Sequence, residues 1–285
     1  GIKIELSDGR HILDYSSAIG ILGLGHNHPR IIAAEKKCHE MATLDAIKVA
    51  PHRLQGILAY NLSQFLPDPL SISFFALSGA EAVEGALKLC EKIQGSKKRK
   101  FITTTGSYHG KTHGSLSITT SGGFRDDFIM GIPSKDIIEV PFANTKILEH
   151  ELKVNKGSII AMILEPIQGQ GIVVPPKGYL KKVIDLCHKY DVLVIFDEVK
   201  AGMGRTGKFC SFQHENVVPD VVTLSKALGG GKRAISAFIT TKDLFQKAYG
   251  NRKDAGIHTT TFGGLGGSCA VAIETLNVLH EENLI

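Results

Sequence analysis

Cysteine is scarce in this sequence: Cys38, Cys90, Cys187, Cys210 and Cys269 make an odd count with no two close together. That spacing excludes a disulfide framework and a zinc ribbon, and it fits reduced thiols and a cytoplasmic location. No apolar run approaches the roughly 18 residues that a membrane span needs, and no signal peptide is legible, so no membrane partner is expected. Charge of one sign is also in short supply, with 33 Lys+Arg against 28 Asp+Glu for a net +5. The densest basic run, Lys97-Lys98-Arg99-Lys100, lacks interleaved aromatics and a second basic stripe. It reads as a solvated loop, and no nucleic-acid partner is expected. HExxH is missing. His26/His28 and His109/His113 have ligand-like spacing without a third ligand, which assigns them turn and supporting roles and no metal.

What is present describes an ordinary globular protein. The 285 residues are 43% hydrophobic and 21% charged, too long for one minimal core and suited to a large α/β domain with pieces of a second. The expected division is an N-terminal segment 1–49, a large domain 50–268, and from 269 to 285 the start of a C-terminal small domain. The chain opens at Gly1 in mid-pattern without an initiator Met, and Ile285 falls inside what reads as a helix. It therefore reads as a piece of a longer protein.

Through the middle, short apolar runs alternate with longer amphipathic stretches, the pattern of βαβ units and a mostly parallel sheet covered by helices. The strands expected are Ile72–Leu77, Phe101–Thr104, Ile159–Leu164, Val192–Phe196, Val221–Leu224 and Ile235–Ile239, with helices over Gly79–Gln94, Gly178–Tyr190 and Cys269–Glu282. Ser78-Gly79-Ala80 follows the first strand, Gly106-Ser107-Tyr108-His109 the second, Glu165 the third, Asp197 the fourth and Ser225-Lys226 the fifth. Ligands of open parallel sheets sit outside the carboxyl ends of the strands, so these endings point to one shared site.

Two segments suggest a phosphate. "GSYHGKT" looks like a nucleotide-binding loop and "VLVIFDE" like its partner strand. The spacing fails, because Gly106 and Gly110 enclose three residues where four are needed, and Tyr108 and His109 are too bulky to lie against phosphate oxygens. "SGAE" upstream is the better cradle. Ser78 and Glu81 have capping-box spacing, which leaves the Gly79 and Ala80 amides free at the positive end of a helix, where an anion binds.

Asp197 closes an apolar strand and needs a partner. Lys226 follows another buried strand beside Gly229-Gly230-Gly231, a setting that strips hydration, depresses the amine pKa and makes a nucleophile toward an aldehyde. An aspartate, a lysine, a phosphate cradle and an aromatic at one sheet edge match what pyridoxal phosphate requires. The ordered segments "SGAEAVEGALKL", "YHGKTHGSLSIT", "LEPIQGQGIVVPPKGYL", "FDEVKAGMGRTGKF", "VPDVVTLSKALGGG" and "HTTTFGG" resemble the class III aminotransferases of fold type I, closest in look to the putrescine and ornithine types.

That resemblance implies a pyridoxal 5'-phosphate enzyme in which Lys226 forms the Schiff base and then moves the substrate proton. It implies that Asp197 pairs with the ring nitrogen, the Gly79 and Ala80 amides with Ser78 hold the phosphate, and Tyr108 and Val199 flank the ring. His109 would orient the region, and Glu165 would sort amine donors from 2-oxo acid acceptors. Thr261 would reach the cofactor of a partner subunit in a homodimer. Lys200 stands where the family has Gln beside the cofactor's phenolic oxygen, "GGGKRAISA" and "FGGLGGSCA" depart from the usual loops, and Lys111 replaces an Arg. The resemblance leaves open a mutase, racemase or decarboxylase, or a homologue with weakened catalysis.

Overall fold

The computed structural model describes residues 1–47, 50–95 and 98–285, so Lys97 of the basic run lies outside the described residues. The chain opens with two short strands, β1 (Lys3–Glu5) and β2 (His11–Leu13), paired antiparallel as a small sheet of their own. A single turn α1 (Ser17–Gly20) and helices α2 (Pro29–Glu40) and α3 (Arg53–Phe65) follow. Then come β3 (Leu70–Ala76), α4 (Gly79–Gln94), β4 (Lys100–Thr104), the short α5 (His113–Ser117), β5 (Ile137–Val140), α6 (Thr145–Val154), β6 (Ile159–Leu164), α7 (Tyr179–Lys189), β7 (Leu193–Asp197) and β8 (Val221–Leu224). The chain finishes with β9 (Ser236–Thr241), α8 (Lys242–Tyr249) and α9 (Gly266–Glu281).

Strands β3 to β9 form one seven-stranded sheet in the order β3-β9-β8-β7-β6-β4-β5. The pairs from β8 across to β5 are parallel, whereas β9 runs antiparallel to both β3 and β8. The expected mostly parallel sheet is what the chain builds. Its central strands are apolar on both faces because helices cover both; all of Ile159–Leu164 is buried. Along β6, Met162 and Leu164 face a core shared with Leu58 of α3, Val183 of α7 and Leu276 of α9. Ala161 and Ile163 point the other way, toward Val83, Ala86 and Leu89 of α4 and Ala248 of α8.

Strands β6 and β8 and helix α4 have the bounds the periodicity predicts, and the other expected elements shift by a turn or less. The second short apolar sheet edge, β5, and helices α2, α3, α6 and α8 were not expected from the pattern. α9 ends at Glu281, before the last residues, rather than running off the chain end. All five cysteines are free thiols. Among the described residues no helix is long and apolar enough to cross a membrane, and no group of three or more His, Cys, Asp or Glu could hold a metal.

Candidate active site

The carboxyl ends of β4, β6, β7 and β8 and the start of α4 converge on a cavity of about 520 Å³. Ser78, Gly79 and Ala80 line it from the helix, Tyr108 and His109 from the loop after β4, and Glu165 from the end of β6. Asp197, Val199 and Lys200 line it from the end of β7, and Ser225 and Lys226 from the end of β8. Of the residues the strand endings nominated, all but Gly106 and Ser107 therefore line one cavity. Thr261 does not: it is exposed on the loop before α9. Its neighbours Thr259 and Thr260 border a separate hollow of about 460 Å³ that also touches His52 and Phe74.

The cradle forms as its sequence dictates. Ser78 Oγ accepts from the Glu81 amide at 3.2 Å and Glu81 Oε2 accepts from the Ser78 amide at 3.2 Å, closing a reciprocal cap. The amides of Gly79 and Ala80 are the first of the helix and have no intrahelical acceptor, so they face the cavity with the positive end of the dipole. Gly79 has to lack a side chain here: a Cβ would fall 2.9 Å from Val199 Cγ1. The cradle amides and Val199 therefore form one continuous wall of the cavity, suited to a phosphate at the helix end and a flat ring against Val199.

Asp197 is held by its own chain. Its Oδ1 accepts from the Val199 amide at 3.0 Å and from Thr223 Oγ1 at 3.1 Å, and its Oδ2 accepts from His109 Nδ1 at 2.7 Å. His109 and Asp197 are both buried, and His109 Nε2 has no partner among the described residues. Glu165 is clamped by two backbone amides, Tyr108 N on Oε2 and Gly169 N on Oε1, both at 2.9 Å. Burial pushes its pKa up, and those amides and His109 pull it back.

Lys226 carries two marks of a reactive site. Its φ of 43° lies in the left-handed region, a strained conformation for a residue with a side chain. Burial depresses its ammonium pKa; Asp197 and Glu165 oppose the shift, while Lys200 and Arg205 add to it. Next to Asp197, Glu198 is fully buried, and burial raises its carboxyl to about 7 against the bonds from Ser211 and Phe212. Ser211 Oγ donates to it at 2.6 Å and Phe212 N at 2.9 Å.

Part of the wall comes from segments that are not strand ends. Ala18, Ile19 and Ile21 line the cavity from the turn at α1, where Ser17, Ala18 and Ile19 all have φ between 50° and 62°. Phe124 lines it too, meeting Tyr108 edge to face with ring centroids 5.9 Å apart and lying 4.1 Å under Lys111 Nζ. Gly169 and Gln170 complete it from the loop after β6. The glycines of "IQGQG" are the signal that marks this last stretch.

The ornithine aminotransferase from Toxoplasma gondii superposes with a TM-score of 0.90 at 30% identity, over 99% of this chain and 66% of its own. An omega transaminase from Pseudomonas jessenii in complex with PMP matches with a TM-score of 0.91 at 30% identity, over 99% of this chain and 68% of its own. The acetylornithine aminotransferase from Elizabethkingia anophelis matches with a TM-score of 0.83 at 30% identity, again over 99% of this chain and 68% of its own. The chain thus spans about two thirds of the length of these structures. The class III aminotransferases are fold type I, pyridoxal-phosphate enzymes, and the cradle, Asp197 and Lys226 fit that cofactor. The model of the class III aminotransferase family matches residues 1–285, and the chain belongs to that family.

Proposed function

We propose that the protein is an aminotransferase that moves an amino group from a diamine or ω-amino acid to a 2-oxo acid such as 2-oxoglutarate, in two successive half-reactions. Bound pyridoxal phosphate supplies an aldehyde for the amine and a ring that draws electrons from the substrate carbon. The chain supplies the rest. The Gly79 and Ala80 amides with Ser78 hold the phosphate, and Tyr108 and Val199 flank the ring. Asp197, fixed by His109, Thr223 and Val199, would present its carboxylate to the ring nitrogen and favour its protonated form. Lys226 would hold the cofactor through its ε-amine and, as a free amine, would take up and return the substrate proton. Glu165 sorts amine donors from 2-oxo acids, and Lys200 takes the place of the Gln that the family sets beside the cofactor's phenolic oxygen. Thr261 contributes from the second subunit of a cytoplasmic homodimer.

The observation that carries this reading is the meeting of Lys226, its pKa depressed by burial, with an amide- and hydroxyl-bound Asp197 at the ends of the paired strands β7 and β8. Borohydride reduction of the cofactor-loaded protein followed by peptide mapping tests it, with the label expected on Lys226. A label on another lysine, or none, overturns the assignment. Conversion to the pyridoxamine form with putrescine, 4-aminobutyrate or ornithine then identifies the donor. No conversion by any amine despite bound cofactor would refute transamination.

A further inference from the structure

Lys200 sits at the cavity yet spends its ammonium on the protein. Its Nζ donates to the Gly169 carbonyl at 2.5 Å. Its stem fills the space where side chains would otherwise grow: a Cβ on Gly169 would fall 2.6 Å from Lys200 Cδ, and one on Gly20 3.5 Å from Lys200 Cγ. Arg205 lies beside it under Gly20 and donates to the Gly20 carbonyl at 3.1 Å. Lys200 therefore spans the two loops that wall the cavity, the α1 turn and the loop after β6.

The loop after β6 is a tight hairpin. Gln168 N donates to Val173 O at 3.0 Å and Val173 N to Gln168 O at 3.3 Å. The Gln168 side chain ties its base to the Thr105 carbonyl at 2.8 Å. Its tip is tied down by two bonds at Gly169. The carbonyl takes the Lys200 ammonium, and the amide donates to Glu165 Oε1. Glu165 in turn takes the Tyr108 amide on its other oxygen. The contacts run without a break from Lys200 through Gly169 and Glu165 to the loop that carries Tyr108.

We propose that Lys200 is a positioning residue that, by bonding to the Gly169 carbonyl, pins the hairpin tip and thereby fixes Glu165 and the Tyr108 loop. A charged donor on a carbonyl is among the stronger hydrogen bonds, so its loss should loosen the tip measurably. The consequence reaches Glu165. The Gly169 amide favours the ionised carboxyl, so a loosened hairpin gives Glu165 a higher pKa. His109, Asp197 and Lys226 also face Glu165 electrostatically, and the Lys200 charge itself depresses Lys226, so hydrogen exchange rather than a pH profile isolates the Gly169 bond.

Hydrogen exchange on the full-length protein, with and without cofactor, tests this. In Lys200→Met, the peptide covering 166–174 should exchange roughly tenfold faster, while the peptide covering 79–94 keeps its wild-type rate. Lys200→Arg, which keeps a charged donor, should restore most of the protection. Unchanged exchange in 166–174 overturns the proposal, and so does equal acceleration in 79–94, which marks general loosening. Should Lys200→Met not fold, Lys200→Leu, which also lacks a donor, carries the same comparison, and wild-type exchange there is again decisive against it. The exchange result stands without any turnover, so failure of the aminotransferase reading and failure of this one are told apart.

Discussion

Replacing Gly79 with alanine tests how tightly the cradle and the ring-facing wall are built against each other. The new Cβ would stand 2.9 Å from Val199 Cγ1, 3.2 Å from Cγ2 and 3.6 Å from Ser225 Cβ. Carbon atoms rest at about 3.5–4.0 Å, so Val199 must retreat by roughly 0.6–1.1 Å. Its backbone is tethered, since Val199 N donates to Asp197 Oδ1 at 3.0 Å, and its branched side chain is stiff. The displacement therefore goes into the cavity, where the proposed cofactor ring would lie. Overpacking of this kind costs about 1–3 kcal/mol, against a gain of at most about 1 kcal/mol for placing alanine in a helix. Urea denaturation of the cofactor-free Gly79→Ala protein should show a loss of about 0–2 kcal/mol. Titration with pyridoxal phosphate, followed by absorbance, should show affinity weakened by a further tenfold to hundredfold, about 1.4–2.7 kcal/mol. Adding Val199→Ala should recover most of that second loss, because it removes both clashing methyls. Wild-type affinity in Gly79→Ala, or additive losses in the double variant, would refute the close-approach argument.

Three further perturbations follow from the same geometry. His109→Phe removes the donor to Asp197 Oδ2 and leaves a buried acceptor unmatched, so urea denaturation should register a loss of about 1–3 kcal/mol; unchanged stability would mean the bond contributes nothing. Glu198 has a folded pKa raised from 4.5 to about 7, so the unfolded chain ionises first as pH rises and the wild-type protein loses stability across that window. Glu198→Gln should lack this term, and the stability difference between variant and wild type should swing in the variant's favour by a few kcal/mol, in order of magnitude, from pH 4 to pH 8. A pH-independent difference would contradict the raised value. Lys111 is exposed above Phe124, and Lys111→Met should raise KM for a carboxylate-bearing substrate about two- to fivefold with kcat little changed, as suits a solvent-facing charge.

Much of the site was legible because parallel strands deliver their last residues to one edge, and an apolar run that stops at a charge can be read without knowing the sheet order. Glu165, Asp197 and Lys226 were each found that way. The capping box of α4 was equally plain, since Ser78 and Glu81 are three apart and the reciprocal bonds are local. The elements that escaped have weak patterns for a physical reason. Only Ile31 is buried in α2, and only Leu58 and Leu62 in α3, so neither helix shows a wide apolar stripe. β5 is a four-residue edge strand with one buried residue. The missed walls, from the α1 turn, Phe124 and the hairpin tip, come from loops, whose positions depend on tertiary contacts such as Lys200 to Gly169 and carry no period.

The distribution of cost within the site predicts how the cofactor should act on stability. The two acids are satisfied before any ligand arrives, Asp197 by an amide, a hydroxyl and an imidazole and Glu165 by two amides, so their burial is offset within the fold. Lys226 is not offset in the same way. Its backbone is left-handed, and burial depresses its ammonium. Between its folded pKa and the usual 10.5 the unfolded chain holds the extra proton, so this residue weakens the cofactor-free protein most below its folded pKa and ceases to do so above 10.5. On the proposed reading, converting this amine to a less basic imine would ease the charge problem while phosphate and ring contacts are gained. A ligand at 100 times its dissociation constant stabilises by about 2.7 kcal/mol through mass action alone. Thermal melting should therefore rise with pyridoxal phosphate concentration, and Lys226→Met should start more stable than the wild-type cofactor-free protein at pH 7 while rising less. A variant that starts less stable, or rises as far, would mean that the strain and desolvation are not concentrated on this lysine.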